Sequence, residues 1–320
     1  MERMISKDNK LKVNGVHAWF LAARPKTLTG AAVPVVVGIT MAFCDICQAS
    51  TFPLTWQFNY LPALLCLLFA FIMQIDANFI NDFFDCVKGT DRDDRLGPKR
   101  TCAQGWISLG AMKQGIALTT VLGIAVGLPL IIWGGWWMLL VGLLCVLFAF
   151  LYTTKLSYLG LGDVLVLIFF GLVPVCITYF IQLYPRTLVS GASALNWQVA
   201  IASLAVGLVT DNLLIVNNFR DRDQDHQSGK NTLIVRFGAQ WGARLYLIIG
   251  IAAVLLCVPF AFHGRLWATL LPCLYLIPHL ITWRKMMRIW QGRELNQVLG
   301  ATARNILIFG VLLSVGIVLV

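Results

Sequence analysis

Nine apolar runs, each long enough to cross a lipid bilayer as a helix, constrain this chain more than any other feature of its sequence. A helix needs about 20 residues to span the hydrocarbon core. With 58% of its 320 residues hydrophobic and 12% charged, the chain is too apolar for a soluble globular protein. We therefore predict an all-α polytopic membrane protein, a bundle of nine transmembrane helices that forms one domain over residues 1–320. The runs are 27–44, 60–80, 113–132, 136–154, 162–182, 197–217, 243–262, 266–282 and 303–320.

Lysines and arginines are distributed unevenly between the two sides of this predicted bundle. If the N-terminus is cytoplasmic, all but two of the 25, Arg186 and Arg265, fall on the cytoplasmic side. Short cytoplasmic loops of membrane proteins carry an excess of these residues. We therefore predict an inner (cytoplasmic) membrane protein with a cytoplasmic N-terminus and an external C-terminus. Binding to anionic lipid and to an anionic substrate is then enough to explain the net charge of +10, and nucleic-acid binding is not required. We expect the basic loop from Arg284 to Asn305 to be solvated.

An acidic stretch follows the sixth apolar run on the predicted cytoplasmic side. Asn217, Asp221 and Asp225 recur every four residues. On a helix that continues out of the apolar run they form one stripe, with successive residues about 6 Å apart.

A second acidic stretch, at the end of the second run, repeats this spacing. Asn81 and Asp85 are four residues apart, and Gly89 occupies the third step. Because ionised side chains at membrane depth are costly, we expect the polar residues at this helix end to face a polar cavity; they are Gln74, Asp76, Asn78, Asn81, Asp82 and Asp85. Glycine and proline then predict that the helix stops and a charged loop follows, at Gly89, Gly97 and Pro98.

Carboxylates and amides at helical spacing suit a hard divalent cation such as Mg²⁺, which binds through oxygen and often bridges carboxylates to substrate phosphates. One acidic cluster beside basic residues is usually a set of solvated ion pairs. Two clusters with the same spacing on the same side of a membrane favour a site where Mg²⁺ and cations clamp a diphosphate. Below them, an apolar bundle would hold the tail of an amphiphile such as a polyprenyl diphosphate and keep water from the allylic cation.

Both acidic stretches resemble known sequence motifs. NDFFDCVKGTD at 81–91 and NNFRDRDQDHQSGKNTLIVRFG at 217–238 resemble those of the UbiA superfamily of intramembrane prenyltransferases. Together with RPKTL at 24–28, their form resembles the branch that prenylates 1,4-dihydroxy-2-naphthoate, and the likeness covers nearly the whole chain. The resemblance implies Mg²⁺-dependent transfer of a polyprenyl group from polyprenyl diphosphate to 1,4-dihydroxy-2-naphthoate, with decarboxylation, giving demethylmenaquinol for menaquinone synthesis.

The resemblance also implies which residues form the site. Residues expected to bind Mg²⁺ are Asn81, Asp82, Asp85, Asp91, Asn217, Asp221 and Asp225. Residues expected to contact diphosphate or the aromatic acceptor are Arg24, Lys26, Asn81, Tyr152, Asn217, Arg220 and Lys230. Direct catalytic roles fall to Asp85, Asp221, Asp225 and Lys155. Many relatives carry aspartate where this chain has Gly89, and Asp91 is offset from that step by two residues.

Several alternatives remain at this point. Arg24 and Lys26 are also consistent with simple anchoring of the first helix, and Lys155 with a routine cytoplasmic charge. The acceptor could instead be 4-hydroxybenzoate or homogentisate. Outside enzymes, the charged loops could form the vestibule of a transporter or channel for an anion or Mg²⁺.

Overall fold

The computed structural model describes residues 12–49, 58–89, 95–190 and 195–319. Within these ranges, nine helical segments are long and apolar enough to cross a membrane, and no strand occurs. The predicted helical membrane bundle is therefore confirmed. We number the segments α1 (Val16–Gln48), α2 (Tyr60–Val87), α3 (Leu109–Gly134), α4 (Trp137–Leu156), α5 (Gly162–Tyr184), α6 (Trp197–Gln227), α7 (Ala239–His263), α8 (Leu266–Ile289) and α9 (Leu295–Val318).

The two helices that carry the acidic stretches continue past their apolar runs. Segment α2 remains helical to Val87 and α6 to Gln227, so both acidic stripes lie on helix, as their four-residue spacing predicted. Left-handed glycines follow each end, with φ of +66° at Gly89 and +74° at Gly229. Only glycine adopts this conformation without steric cost, which explains why the helices stop there. We call the end of the bundle that carries these stretches the motif end.

The first segment is broken at Arg24, between helices Val16–Ala23 and Leu28–Ala49. Arg24 has a φ of +49°, and a short 3₁₀ turn begins at Pro25. The amide of Asn78 on α2 donates to the Ala23 carbonyl at 2.9 Å and to the Thr27 hydroxyl at 3.0 Å. The first of these bonds satisfies a backbone carbonyl that the break exposes, and the two together hold the residues on either side of Arg24.

Segment α6 lies at the centre of the bundle and packs against α1, α5, α7 and α9. Its approach to α5 is close enough that a Cβ at Gly171 would lie 2.8 Å from the Cα of Gly207. Small residues of this kind let membrane helices pack tightly. Segment α6 is therefore tightly packed against α5 near its middle.

Asp76 departs from the expectation that the polar residues of α2 face a polar cavity. Its two carboxylate oxygens accept hydrogen bonds from Thr119 at 2.5 Å and Thr120 at 2.9 Å on α3, and the residue is fully buried. The expectation is wrong for Asp76, because a neighbouring helix supplies the donors that a buried carboxylate requires.

Candidate active site

A cavity of about 550 Å³ opens among the helices below the motif end. Its polar wall includes residues from four segments, which are Arg24, Asn78, Asn81, Tyr152 and Asn217. The structure therefore brings together the first residue of each acidic stripe, as the matching spacing predicted.

The rest of the cavity wall is mostly apolar and comes from α1 to α6. Met73 on α2 and Gly127 and Leu130 on α3 contribute to it. Leu139 and Leu143 on α4 also line the cavity while remaining 44% and 63% exposed, which places the α4 part of the wall at the lipid-facing surface. The cavity thus has one polar end and a long apolar part beside the membrane.

In the first acidic stretch, Asn81 and Asp85 contact polar partners from other elements. The Asn81 side-chain oxygen accepts a hydrogen bond from the Thr153 hydroxyl in the π-helical turn at the end of α4. Asp85 forms a salt bridge with Arg100 at 2.8 Å. Arg100 lies in the loop that follows α2, so this loop folds back and contacts the end of α2.

Asp82 has a different environment from its neighbours. One carboxylate oxygen accepts from the backbone N–H and hydroxyl of Thr101 at 3.0 and 2.8 Å, and the other accepts from the Cys102 N–H at 3.2 Å. The residue is 1% exposed. Both oxygens of Asp82 therefore hold the loop after α2.

In the second acidic stretch, Asp221 and Asp225 each pair with a cation close by in the sequence. Arg220 donates to both oxygens of Asp221, at 2.7 and 2.6 Å. One oxygen of Asp225 lies 3.4 Å from the Lys230 ammonium. Its other oxygen, Oδ2, is buried and accepts no hydrogen bond from the described residues. A buried carboxylate oxygen of this kind is a strong acceptor for a cation.

The two stretches share basic residues. Arg95, in the loop after α2, and Lys230, after α6, each interact electrostatically with both Asp85 and Asp225. Across the described part of the chain, no three histidine, cysteine, aspartate or glutamate side chains converge as a ready-made metal site. The geometry instead interleaves carboxylates with cations, an arrangement that suits a ligand carrying negative charge together with its counter-ion.

Four of the predicted site residues line the cavity, namely Arg24, Asn81, Tyr152 and Asn217. The other predicted residues that the structure describes are not part of its wall; they are Lys26, Asp82, Asp85, Lys155, Arg220, Asp221, Asp225 and Lys230. Lys26 and Lys155 are exposed, and Asp91 falls outside the described residues. Near Lys155, the ammonium of Lys88 donates to the carbonyls of Thr153 and Thr154 at 3.3 and 3.1 Å. No sequence pattern points to Lys88, because its partners are backbone carbonyls 65 and 66 residues away.

The loop between α8 and α9 contradicts the expectation that the segment from Arg284 to Asn305 is solvated. Arg222 donates to the Trp290 carbonyl at 3.0 Å, and the Trp290 ring packs edge-on against Phe219 at 5.3 Å. The loop therefore packs on the second acidic stretch. The basic composition of the loop does not predict this packing, because the contacts are made by an aromatic ring and a backbone carbonyl, which a charge pattern does not report.

Comparison with known proteins identifies the family. The model of the UbiA prenyltransferase family matches residues 33–317. The chain belongs to this family. It is therefore a membrane prenyltransferase, and membership of an enzyme family decides against the transporter or channel alternative.

Curated relatives within the family are similar over most of their length. The 1,4-dihydroxy-2-naphthoate octaprenyltransferase of Escherichia coli (strain K12) is 32% identical over 326 residues, covering 96% of this chain and 97% of that protein. The enzyme of the same name from Mycobacterium leprae (strain TN) is 34% identical over 247 residues, covering 75% of this chain and 76% of the relative.

Solved structures of the family share the fold. A UbiA homolog from Aeropyrum pernix K1 matches with a TM-score of 0.67 at 17% identity, covering 92% of this chain and 98% of that chain. A UbiA homolog from Archaeoglobus fulgidus bound to DMAPP and Mg²⁺ matches with a TM-score of 0.54 at 14% identity, covering 94% and 99%. At these identities the likeness supports the fold alone.

Proposed function

We propose that this prenyltransferase transfers a polyprenyl group from its diphosphate to 1,4-dihydroxy-2-naphthoate and releases CO₂, giving demethylmenaquinol for menaquinone synthesis. The observation that carries the proposal is the cavity, whose polar end is lined by Asn81 and Asn217, the first residues of the two acidic stripes, and whose remaining wall is mostly apolar. Aspartates of the two stripes share the cations Arg95 and Lys230. Similarity to the naphthoate octaprenyltransferases along almost the full chain supports the choice of acceptor.

Residues of both stretches suit Mg²⁺. We assign it to Asp85, Asp221 and Asp225 with the amide oxygens of Asn81 and Asn217, because these are hard oxygen donors and Asp225 Oδ2 is buried without a donor from the described residues. Asp82 is left out, since it is 1% exposed and its oxygens hold the loop backbone at Thr101 and Cys102, whereas the Asp221 side chain is 19% exposed. Asp91 remains a sequence-based prediction. When bound, Mg²⁺ supplies Lewis-acid stabilisation of the diphosphate leaving group.

Basic residues of the chain would hold the diphosphate. Arg95, Arg100 and Lys230 already interact with the carboxylates of the two stretches, and Arg24 lines the polar end of the cavity. Cations in these positions neutralise charge that develops on the leaving group. Lys26 and Lys155 stay as predictions for the same role. Arg220 does not contact the diphosphate in this proposal and instead orients Asp221.

The reaction itself needs a dry, aligned site. The C–O bond to diphosphate breaks and its electron pair leaves with the diphosphate. The ring carbon that bears the carboxylate forms the new C–C bond, and the C–CO₂ bond then breaks to restore aromaticity. Apolar walls such as Leu165, Phe169 and Val173 exclude water that would quench the allylic cation. We assign Tyr152 to the acceptor side of the cavity.

For the orientation, we propose that the motif end faces the cytoplasm at the inner membrane and that the C-terminus lies outside. The Lys and Arg distribution supports this arrangement, as does the location of both acidic stretches at one end of the bundle. Cysteine labelling of intact cells at Lys99 and His263 tests it, since only a residue outside the cytoplasm reacts with an impermeant reagent.

The function is tested by supplying purified protein in nanodiscs with octaprenyl diphosphate, Mg²⁺ and 1,4-dihydroxy-2-naphthoate carrying a labelled carboxylate. We expect diphosphate, labelled CO₂ and prenylated naphthalenediol in equal amounts, and no product in the presence of EDTA. Parallel reactions offer 4-hydroxybenzoate and homogentisate. Turnover with one of those acceptors but not with the naphthoate would replace the proposed acceptor, and absence of diphosphate release with every acceptor would refute the proposal.

A further inference from the structure

The loop after α2 is joined to the start of α9, far away in the sequence. The side-chain amide of Asn296, in the first turn of α9, donates to the Leu96 carbonyl at 2.8 Å across 200 residues of sequence. Neither acidic stretch contains Asn296, and no spacing in the sequence connects it to them.

The same amide also contacts the second acidic stretch. Arg220 donates from Nη1 to the Asn296 side-chain oxygen at 2.8 Å. Because a guanidinium can only donate, the oxygen of Asn296 must face Arg220, and its nitrogen must face the carbonyls of Leu96 and Arg293. The bond to the Arg293 carbonyl measures 2.9 Å. Chemistry therefore determines the orientation of the amide, and its oxygen and both N–H groups are used.

Two partners of Asn296, Arg220 and Leu96, belong to elements that contact proposed Mg²⁺ ligands. Arg220 is 2% exposed and holds both oxygens of Asp221. On the other side, the loop that begins at Leu96 reaches Arg100, which pairs with Asp85 at 2.8 Å. A single amide thus connects the helix of one acidic stretch to the loop of the other.

Direct packing of the loop against Arg220 reinforces this connection. A Cβ at Gly97 would lie 2.8 Å from Nη2 of Arg220. The backbone of the loop therefore lies directly against the guanidinium of Arg220. A side chain at position 97 would require the loop or Arg220 to move.

We propose that Asn296 is a positioning residue for prenyl transfer, which sets the relative position of the two acidic stretches by fastening the loop at 95–100 to Arg220. The inference rests on the proposed function. It assigns to α9 a role in the site although the helix contributes no predicted Mg²⁺ or diphosphate ligand.

The test uses Asn296→Leu, which removes all three hydrogen bonds, and Asn296→Asp, which keeps the acceptor for Arg220 and loses the donors to Leu96 and Arg293. The matched control is Gln297→Leu, because Gln297 is the next residue, is exposed and accepts a hydrogen bond from Lys285 at 2.8 Å, away from both acidic stretches. Hydrogen exchange of residues 95–104 reports the loop, and initial rates report kcat and the KM for prenyl diphosphate.

With Asn296→Leu we expect at least tenfold faster exchange in the loop and at least a tenfold higher KM for prenyl diphosphate. The KM for the aromatic acceptor should change less than twofold, a split that general destabilisation would not produce. Asn296→Asp should loosen the loop equally but raise this KM less. Gln297→Leu should match the wild type in every measurement.

A second variant approaches the same contact from the loop, in case Asn296→Leu does not fold. Gly97→Ala should raise the KM for prenyl diphosphate in the same way, and Gly110→Ala serves as its control because a Cβ there meets nothing within 4 Å. The positioning role is overturned if the wild type is active and the Asn296 and Gly97 variants have the same loop exchange rates as the wild type. It is also overturned if they have the same KM for prenyl diphosphate as the wild type. A wild type that releases no diphosphate overturns the proposed function instead.

Discussion

Arg100 forms a salt bridge with Asp85 at 2.8 Å, and so connects the loop after α2 to the first acidic stretch. Three residues earlier on the same helix, Asp82 holds the backbone of that loop at Thr101 and Cys102. The two aspartates are adjacent on one helix face but are expected to contribute to different properties of the protein.

Asp85→Asn should lower kcat by at least about 100-fold, because it removes charge that organises the leaving-group site. Asp82→Asn should instead lower the free energy of unfolding by about 1–3 kcal/mol, since an amide cannot accept all three hydrogen bonds and leaves a buried donor unpaired. Steady-state kinetics with Mg²⁺ titration and thermal unfolding in detergent separate the two effects. Equal loss of stability and equal loss of Mg²⁺ affinity in both variants would contradict this division.

Gly142 on α4 offers a test of where the prenyl tail binds. It lines the apolar part of the cavity, and a Cβ there meets nothing within 4 Å. Gly142→Phe should therefore fill tail space without disturbing the helix. Crowding in a packed site costs about 1–3 kcal/mol, so turnover with octaprenyl diphosphate should fall roughly tenfold or more, while turnover with geranyl diphosphate should stay near the wild-type value.

The control for Gly142 is Gly300→Phe on α9. That position is equally open but lies outside the main cavity. Octaprenyl and geranyl diphosphate are supplied together, and mass analysis gives the ratio of the long-chain product to the short-chain product. If both glycine variants change this product ratio equally, the prenyl tail does not bind along α4.

Lys88 and Lys155 are compared by single substitution to methionine. Lys88 donates to two carbonyls in the turn that carries Tyr152, and its ammonium also lies 4.3 Å from the centre of the Tyr158 ring. Losing these contacts should cost about 1 kcal/mol and displace Tyr152. We expect Lys88→Met to raise the KM for the aromatic acceptor more than Lys155→Met does.

Kinetics with each substrate varied in turn decide between the two lysines. A larger effect of Lys155→Met, centred on the KM for prenyl diphosphate, would support the role that the sequence predicted for Lys155 and would count against Lys88 as the organiser of this turn.

Arg265 and Asp45 form a buried ion pair at the end of the bundle opposite the acidic stretches, and Tyr179 donates to Asp45 at 2.6 Å. Arg265→Met leaves the Asp45 charge without its cation, which should cost about 3 kcal/mol of unfolding free energy. The KM values of the folded fraction should not change, because the pair lies far from the cavity's polar end. Adding Asp45→Asn to Arg265→Met should recover part of the stability; if it does not, the pair is not the source of the loss.

Local sequence signals predicted a large part of this molecule. Apolar runs located the spans, because any helix in hydrocarbon must expose apolar side chains over a set length. The recurrence of Asn217, Asp221 and Asp225 at four-residue intervals predicted a continuing helix, which α6 confirms as far as Gln227.

Predictions that depended on the partner of a side chain were less successful. Asp76 was expected in a polar cavity and instead bonds two threonines of α3. The loop between α8 and α9 was expected in solvent and instead packs on Phe219. In both cases the partner comes from an element that sequence spacing does not relate to the residue.

By itself, the sequence determined the membrane-spanning helical class, the location of the two acidic stretches and the family to which their motifs point, because each depends on residues close together along the chain. Only the tertiary structure decided which cation pairs with each aspartate, that Asp82 serves the loop, and that Asn296 connects the loop to Arg220. Those contacts arise where helices distant in sequence pack together, and the free energy of a hydrogen bond or ion pair depends on atoms within a few ångströms, not on position along the chain.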